Sequence, residues 1–497
     1  MSFEKEDERQ RAIVQHGVEQ QLDDREALIS HFQMLLTERE ESVRALSAQL
    51  NSITKSKAWV AFQRLWNVRA WLKAKASFSE ENAQPSPLEE RVTKSNGRYP
   101  VAKAIDKLRL EGSDGPEAAA SAKSIEVVQV LLNRSRAALD ELRVDEVRAI
   151  AFYLPQFHPI PENDRWWGKG FTEWTNVTKA RPNFEGHYQP HLPADMGFYD
   201  LRIPEVRQQQ ADLAREYGIH GFCYYYYWFG GKRLLERPFN EVLSSGRPDF
   251  PFCICWANEN WTRRWDGAEH EILIAQSHSD EDDRKFVRSL VPAFKDRRYI
   301  RVNGKPLLLV YRIDILPNPQ RTADIWREEM KAAGRGEIYL CAAQSFGVLD
   351  PTPYGFDAAV EFPPHGTLTT DLTARAPIIN SQYAGNIYDY LVKAESMIHR
   401  PAPDYTLFKS VMPGWDNTPR RQSASSTFVN SSPEAYEYWL GKAVEYTITR
   451  HTGDERLVFI NAWNEWGEGA HLEPDRRYGH RFLEATRDVL KTVRGDL

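Results

Sequence analysis

The chain has 497 residues, enough for one large domain and a smaller appendage. With 41% hydrophobic and 27% charged residues it has the composition of a soluble protein, and a formal charge of −6 gives no basis for nucleic-acid binding. No apolar run reaches the roughly 18 residues of a membrane-spanning helix, and the charge-dense start lacks the apolar segment of a secretory signal. Four cysteines, Cys223, Cys253, Cys255 and Cys341, sit in apolar runs without a CxxC pair. Buried reduced thiols are expected, which fits a cytoplasmic protein.

Residues 1–53 carry Val18, Leu22, Ile29, Phe32, Leu36, Val43, Leu46, Leu50 and Ile53 at alternating steps of three and four. That seam predicts a self-associating coiled coil, against the alternative of a single helix lying on the main domain. Residues 54–78 form a predicted basic amphipathic helix, with Lys55, Lys57, Arg64, Arg69, Lys73 and Lys75 interleaved with Trp59, Phe62, Trp66 and Trp71. Residues 54–76 could rest against an anionic inner-membrane leaflet, or the tryptophans could pack on another domain. Residues 79–116, rich in Pro, Ser, Gly and charge, read as a flexible linker, and 117–146 as a helical connector.

From residue 147 to 497 the pattern alternates. Strand candidates at Ala149–Leu154, Gly221–Tyr227, Phe252–Trp256, Leu307–Tyr311, Ile338–Ala343, Ala358–Phe362, Phe408–Met412 and Leu457–Trp463 are separated mostly by helical segments. Eight such units predict an α/β fold, a (β/α)8 barrel with an N-terminal helical extension. A doubly wound open sheet is the competitor, but Pro155-Gln156-Phe157-His158-Pro159 stands where a Gly-rich phosphate turn would follow the first strand.

In a barrel the C-terminal ends of the strands form the active face. Polar and aromatic residues gather there: Trp166, Trp167, Glu173 and Trp174 after the first strand, and Trp256, Asn258, Glu259 and Trp261 after the third. Glu361 closes the sixth strand and Trp415 follows the seventh. The eighth runs into Asn464, Glu465, Trp466, Glu468, His471 and Glu473. Indoles stack on the C–H faces of sugars, carboxylates and amides meet their hydroxyls, and two acids can share the proton transfers of glycosidic chemistry. Glu465 and Glu468 are the candidate catalytic pair; the others are candidate sugar ligands. A rival scheme makes Glu259 the acid/base and Glu465 the nucleophile, about 5 Å apart. His187-x-x-x-His191 has the spacing of a helical metal pair, but Pro190 and Pro193 oppose a helix there. No metal and no cofactor are expected.

Three strings, Phe152-Tyr153-Leu154-Pro155-Gln156-Phe157-His158, Trp256-Ala257-Asn258-Glu259-Asn260-Trp261 and Asn461 to Pro474, resemble the glycoside hydrolase family 99-like proteins. Within these they are most similar to the WbsX-like branch of bacterial surface-polysaccharide synthesis. The resemblance implies a (β/α)8 barrel acting on α-linked, mannose-type glycosides with retention, through a 1,2-anhydro sugar. It implies that Glu465 takes the proton of the sugar 2-hydroxyl and that Glu468 acts as general acid, then base. Glu465 is then expected to be ionised and Glu468 protonated. An oligosaccharide or lipid-linked glycan is the expected substrate. The same pair could serve a transferase, and a glycan-binding scaffold without chemistry is the third reading.

Overall fold

The computed structural model describes residues 117–142, 144, 146–263, 268–366 and 369–494. The coiled coil expected at 1–53, the basic helix at 54–78 and the linker at 79–116 lie outside the described residues.

Eight parallel strands close on themselves. They are β1 (Arg148–Tyr153), β2 (Ile219–Phe229), β3 (Phe252–Trp256), β4 (Lys305–Val310), β5 (Tyr339–Gln344), β6 (Ala358–Glu361), β7 (Leu407–Val411) and β8 (Leu457–Ile460). Neighbours pair in sequence order, and β1 pairs with both β2 and β8, which completes the barrel. The strands are near-continuous apolar runs because both faces are covered, by the barrel interior on one side and by helices on the other. The four cysteines are free and buried within these strands.

The helices are α1 (Glu117–Asp140), α2 (Pro161–Trp167), α3 (Glu173–Lys179), α4 (Pro204–Glu216), α5 (Arg237–Ser245), α6 (Asp280–Lys295), α7 (Pro319–Ala332), α8 (Tyr390–Ile398), α9 (Thr418–Arg421), α10 (Pro433–Arg450) and α11 (Arg481–Arg494). Their starts follow local chemistry. Ser279, Asn318, Asp389 and Ser432 each accept a backbone N–H at the head of a helix, and proline opens α2, α4, α7 and α10. The connector helix α1 packs on α10 and α11, burying Leu131, Leu132 and Leu139. Gly441 admits the Ser135 side chain, and Arg136 donates two hydrogen bonds to Glu437 at 2.6 and 2.9 Å. No described helix is long and apolar enough to cross a membrane.

Alternation along β2 sorts its tyrosines. Tyr224 and Tyr226 pack on Phe239 of α5, outside the barrel. Tyr225 and Tyr227 take the opposite phase, toward the acids described below.

Candidate active site

The turn after β8 carries the acids. Asn464 and Glu465 pair antiparallel with Ala470 and His471, closing a tight loop around Trp466–Glu468. Asn464 fixes this loop to the end of β1: its Oδ1 accepts from Leu154 N at 2.7 Å and its Nδ2 donates to Leu154 O at 3.0 Å. Asn464 thus clamps the turn to the barrel, and its Nδ2 also reaches the Tyr199 hydroxyl at 3.3 Å.

Arg420, at the end of α9, is the centre of the site. Its Nη2 donates to Glu465 at 2.8 Å, its Nη1 to Glu468 at 2.6 Å and its Nε to Glu173 at 2.8 Å. One guanidinium thus faces three carboxylates from two segments of the barrel mouth, the turn after β8 and the start of α3. Burial opposes the charge of Arg420, but the three glutamates hold it firmly protonated. Burial pushes Glu465 up to about 8 against the pull of Arg420, with Glu468 and Glu173 adding repulsion. Burial raises Glu468 as well. Glu465 is the more enclosed of the two, its side chain 6% exposed against 22% for Glu468.

The walls are aromatic. Tyr227 packs edge-on to Trp261 at 5.1 Å, and Trp261 meets Trp166 at 5.9 Å. Burial, then the charge of Glu465, raises the Tyr225 and Tyr227 hydroxyls. Across the mouth, Tyr311 is raised by burial and by the charges of Glu259 and Glu468, and its hydroxyl is 3.3 Å from His365 Nε2. Glu259 itself is held by Arg312 at 2.8 Å, and Asn258 bonds the backbone N and O of Arg312.

The remaining sequence candidates fall into two groups. Trp166, Trp167, Trp261 and Trp415 are partly exposed and can meet a ligand. Trp256 is fully buried against Phe286 and Trp326, in the layer between barrel and helices, because its place on β3 has the outward phase. Trp174 is enclosed by Phe157, Tyr199 and Trp466. Trp466 is stacked on His471 at 3.7 Å and donates its Nε1–H to Glu473 at 2.6 Å. Glu473 also accepts from Tyr199 and Gln210, each at 2.7 Å, and burial raises it to about 7. Glu361 is 1% exposed and bound to Lys409 at 2.7 Å and Arg400 at 3.4 Å. Trp174, Trp256, Trp466, Glu361 and Glu473 are thus engaged by protein.

The sequence candidates include neither Arg420 nor Tyr311, and alternation along the Tyr224–Tyr227 run sends two tyrosines inward but points to core for most of them. Nothing near Arg420 in the chain marks it. The spacing pair separates: His187 Nε2 lies 2.6 Å from Asp416, while His191 Nδ1 lies 2.9 Å from His471 Nε2.

Gly467 is required by close approach. A Cβ there would run into the Glu173 carboxylate and come within 2.9 Å of Arg420 Nε. Gly467→Ala is expected to destabilise by about 1–3 kcal/mol through overpacking and to lower turnover by roughly 100-fold by displacing the acids. Thermal unfolding with steady-state kinetics on the same preparation checks both effects.

The chain matches the family described as Glycosyltransferase WbsX over residues 149–486. Two relatives, each described as the uncharacterized protein WxcX, come from Xanthomonas campestris pv. campestris strains B100 and ATCC 33913. Each is 51% identical over 341 residues, covering 69% of this chain and 49% of the relative. The chain therefore spans about half the length of the curated relatives it matches. Among solved structures, a GH99 endo-α-mannosidase from Bacteroides thetaiotaomicron aligns with a TM-score of 0.46 at 14% identity, over 71% of this chain and 98% of that one. A glycoside hydrolase-like protein aligns at 0.44 and 15%, over 70% and 94%. The family match takes in the whole barrel and every acid on Arg420, and the chain belongs to the glycosyltransferase WbsX family.

Proposed function

We propose that the chain is a carbohydrate-active enzyme of surface-polysaccharide assembly that handles α-linked, mannose-type glycosides with retention. The observation that carries this reading is the pairing of Glu465 and Glu468 on one guanidinium, at the strand ends of a barrel and beside a wall of tyrosine and tryptophan. A carboxylate of raised pKa is the stronger base once ionised, which suits Glu465 to a sugar hydroxyl.

In the proposed sequence Glu465 removes the proton from the 2-hydroxyl, O2 attacks C1, and the leaving oxygen takes a proton from Glu468. An incoming hydroxyl then gives its proton to Glu468 and opens the 1,2-anhydro ring at C1, while O2 recovers its proton from Glu465. Two inversions at C1 give net retention. Arg420 keeps both carboxyl groups in register and never leaves its charged form.

Hydrolysis and transfer differ only in whether the incoming hydroxyl belongs to water or to a sugar. The family's description as a glycosyltransferase favours a sugar. Product analysis with an α-mannosyl oligosaccharide and with its lipid-linked form tests the proposal. A lengthened chain is the expected product, and free reducing sugar assigns hydrolysis. Glycan binding without any product from the wild-type protein overturns the enzymatic reading in favour of a scaffold.

A further inference from the structure

We propose that His191, His471 and Asp475 form a site for one divalent transition metal of the zinc class, beside the turn that carries the acids. Their ligand atoms all lie within 4.8 Å of one another, His471 and Asp475 are buried, and His191 is half-buried. The three come from two separate segments, the loop following α3 and the stretch beyond β8, so their convergence is tertiary.

The tautomer of His471 is settled by its neighbours. Its Nδ1 lies 3.0 Å from the backbone oxygen of Glu473, which can only accept, so Nδ1 carries the hydrogen and Nε2 presents a lone pair. An imidazole whose second nitrogen donates to a backbone carbonyl is the usual arrangement of a metal-bound histidine. Stacking on Trp466 at 3.7 Å fixes the ring plane.

Asp475 supplies the charge. It is 4% exposed, and among the described residues no lysine, arginine or histidine lies within ion-pair distance. Its Oδ1 accepts from the backbone N–H groups of Arg477 and Tyr478 at 3.0 and 2.6 Å, which orients the carboxylate. A buried carboxyl group with oriented geometry and no cationic partner is a place where a metal ion finds a ligand.

The two imidazole nitrogens stand 2.9 Å apart, a hydrogen-bond distance. Tetrahedral coordination at about 2.0–2.1 Å per bond needs roughly 3.3 Å, so the rings must part by a few tenths of an ångström. His191 would move its hydrogen from Nδ1 to Nε2 in the exchange, with no net release of a proton. His191 also lines a cavity of about 340 Å³ shared with Tyr188 and Trp415, which leaves room for water as a fourth ligand. Bound metal would tie the loop of His191 to the strand that backs Glu465, so its role is positioning.

The test uses the full chain stripped with chelator and titrated with Co²⁺, then Zn²⁺, without any glycan. The expected result is one equivalent of Co²⁺ with the visible absorption of four-coordinate cobalt, bleached by Zn²⁺, and a raised unfolding midpoint with either ion. His191→Ala and Asp475→Asn should each weaken binding at least tenfold, while His187→Ala, which removes a partner of Asp416 and of the Asn183 backbone N–H but no proposed ligand, keeps it. Circular dichroism confirms that each variant is folded, and the two ligand variants lie on different segments so that one failure does not end the test. Absence of the cobalt band, or a band whose affinity survives both ligand substitutions, overturns the site.

Discussion

Glu468→Gln is expected to lose activity on a natural glycosidic linkage by about 10²- to 10⁴-fold while retaining, within roughly tenfold, the single-turnover rate of fluoride release from an α-mannosyl fluoride. Fluoride leaves without a proton, so the first step survives without Glu468, while the ring-opening step that follows lacks its base. Glu465→Gln should fail on both substrates, because the 2-hydroxyl then has no base. A thousandfold loss corresponds to about 4 kcal/mol of transition-state stabilisation. Folding is not the limiting factor in either variant. Three carboxylates share Arg420, so removing one relieves repulsion and leaves two partners for the guanidinium. Replacing Glu465, which burial holds near 8, should leave the unfolding midpoint above pH 7 unchanged or higher. Equal losses on both substrates in Glu468→Gln would remove its assignment as general acid. The rival pairing of Glu259 with Glu465 makes a different forecast: Glu259→Gln would then show the fluoride rescue. Glu259 is engaged by Arg312, which argues for a supporting position.

The barrel was legible because each strand is buried on both faces and so writes itself as an apolar run. Helix α10 occupies Pro433–Arg450, with Ser432 capping and Pro433 opening it, both start signals visible in the sequence. Boundaries slipped where a loop continued a strand: β2 runs on to Phe229 and pairs antiparallel with Lys232–Leu234. The acid-bearing turn stood out because carboxylates and indoles so close to a buried strand are costly unless they have partners. Which partners they have was not legible. Trp466 and Glu473 look like sugar ligands in one dimension, yet they bond each other at 2.6 Å. Arg420 sits 45 and 48 positions from the acids it holds, in a stretch with no motif of its own. Trp256 shows the limit of reasoning from proximity to a strand end. One step of the pleat decides between ligand and core, and Trp256 has the core phase.

Glu473 makes the second large effect, on stability. Its three donors, Trp466, Tyr199 and Gln210, are all neutral, and no cation compensates its charge among the described residues. Burial therefore raises it from 4.5 to about 7 in the folded state. The folded form binds this proton more tightly than the unfolded chain, so the contribution to stability is fully present below pH 4.5 and is lost as pH rises through about 7. The difference amounts to roughly 3 kcal/mol, an order-of-magnitude figure at 1.36 kcal/mol for each tenfold change in proton affinity. Glutamine is the uncharged isostere and does not titrate. Glu473→Gln should thus flatten the stability profile between pH 5 and 8, with the largest gain over wild type at the alkaline end. Asp416 acts on the other side: His187 and Gln189 bring it down to about 2 despite its burial, so its contribution is lost only as pH falls through that value. The difference between the wild-type and Glu473→Gln curves therefore isolates one group, measured by urea unfolding at each pH. Parallel curves would mean that Glu473 is ionised throughout, and that a cation or water within reach of its carboxylate has taken over the compensation.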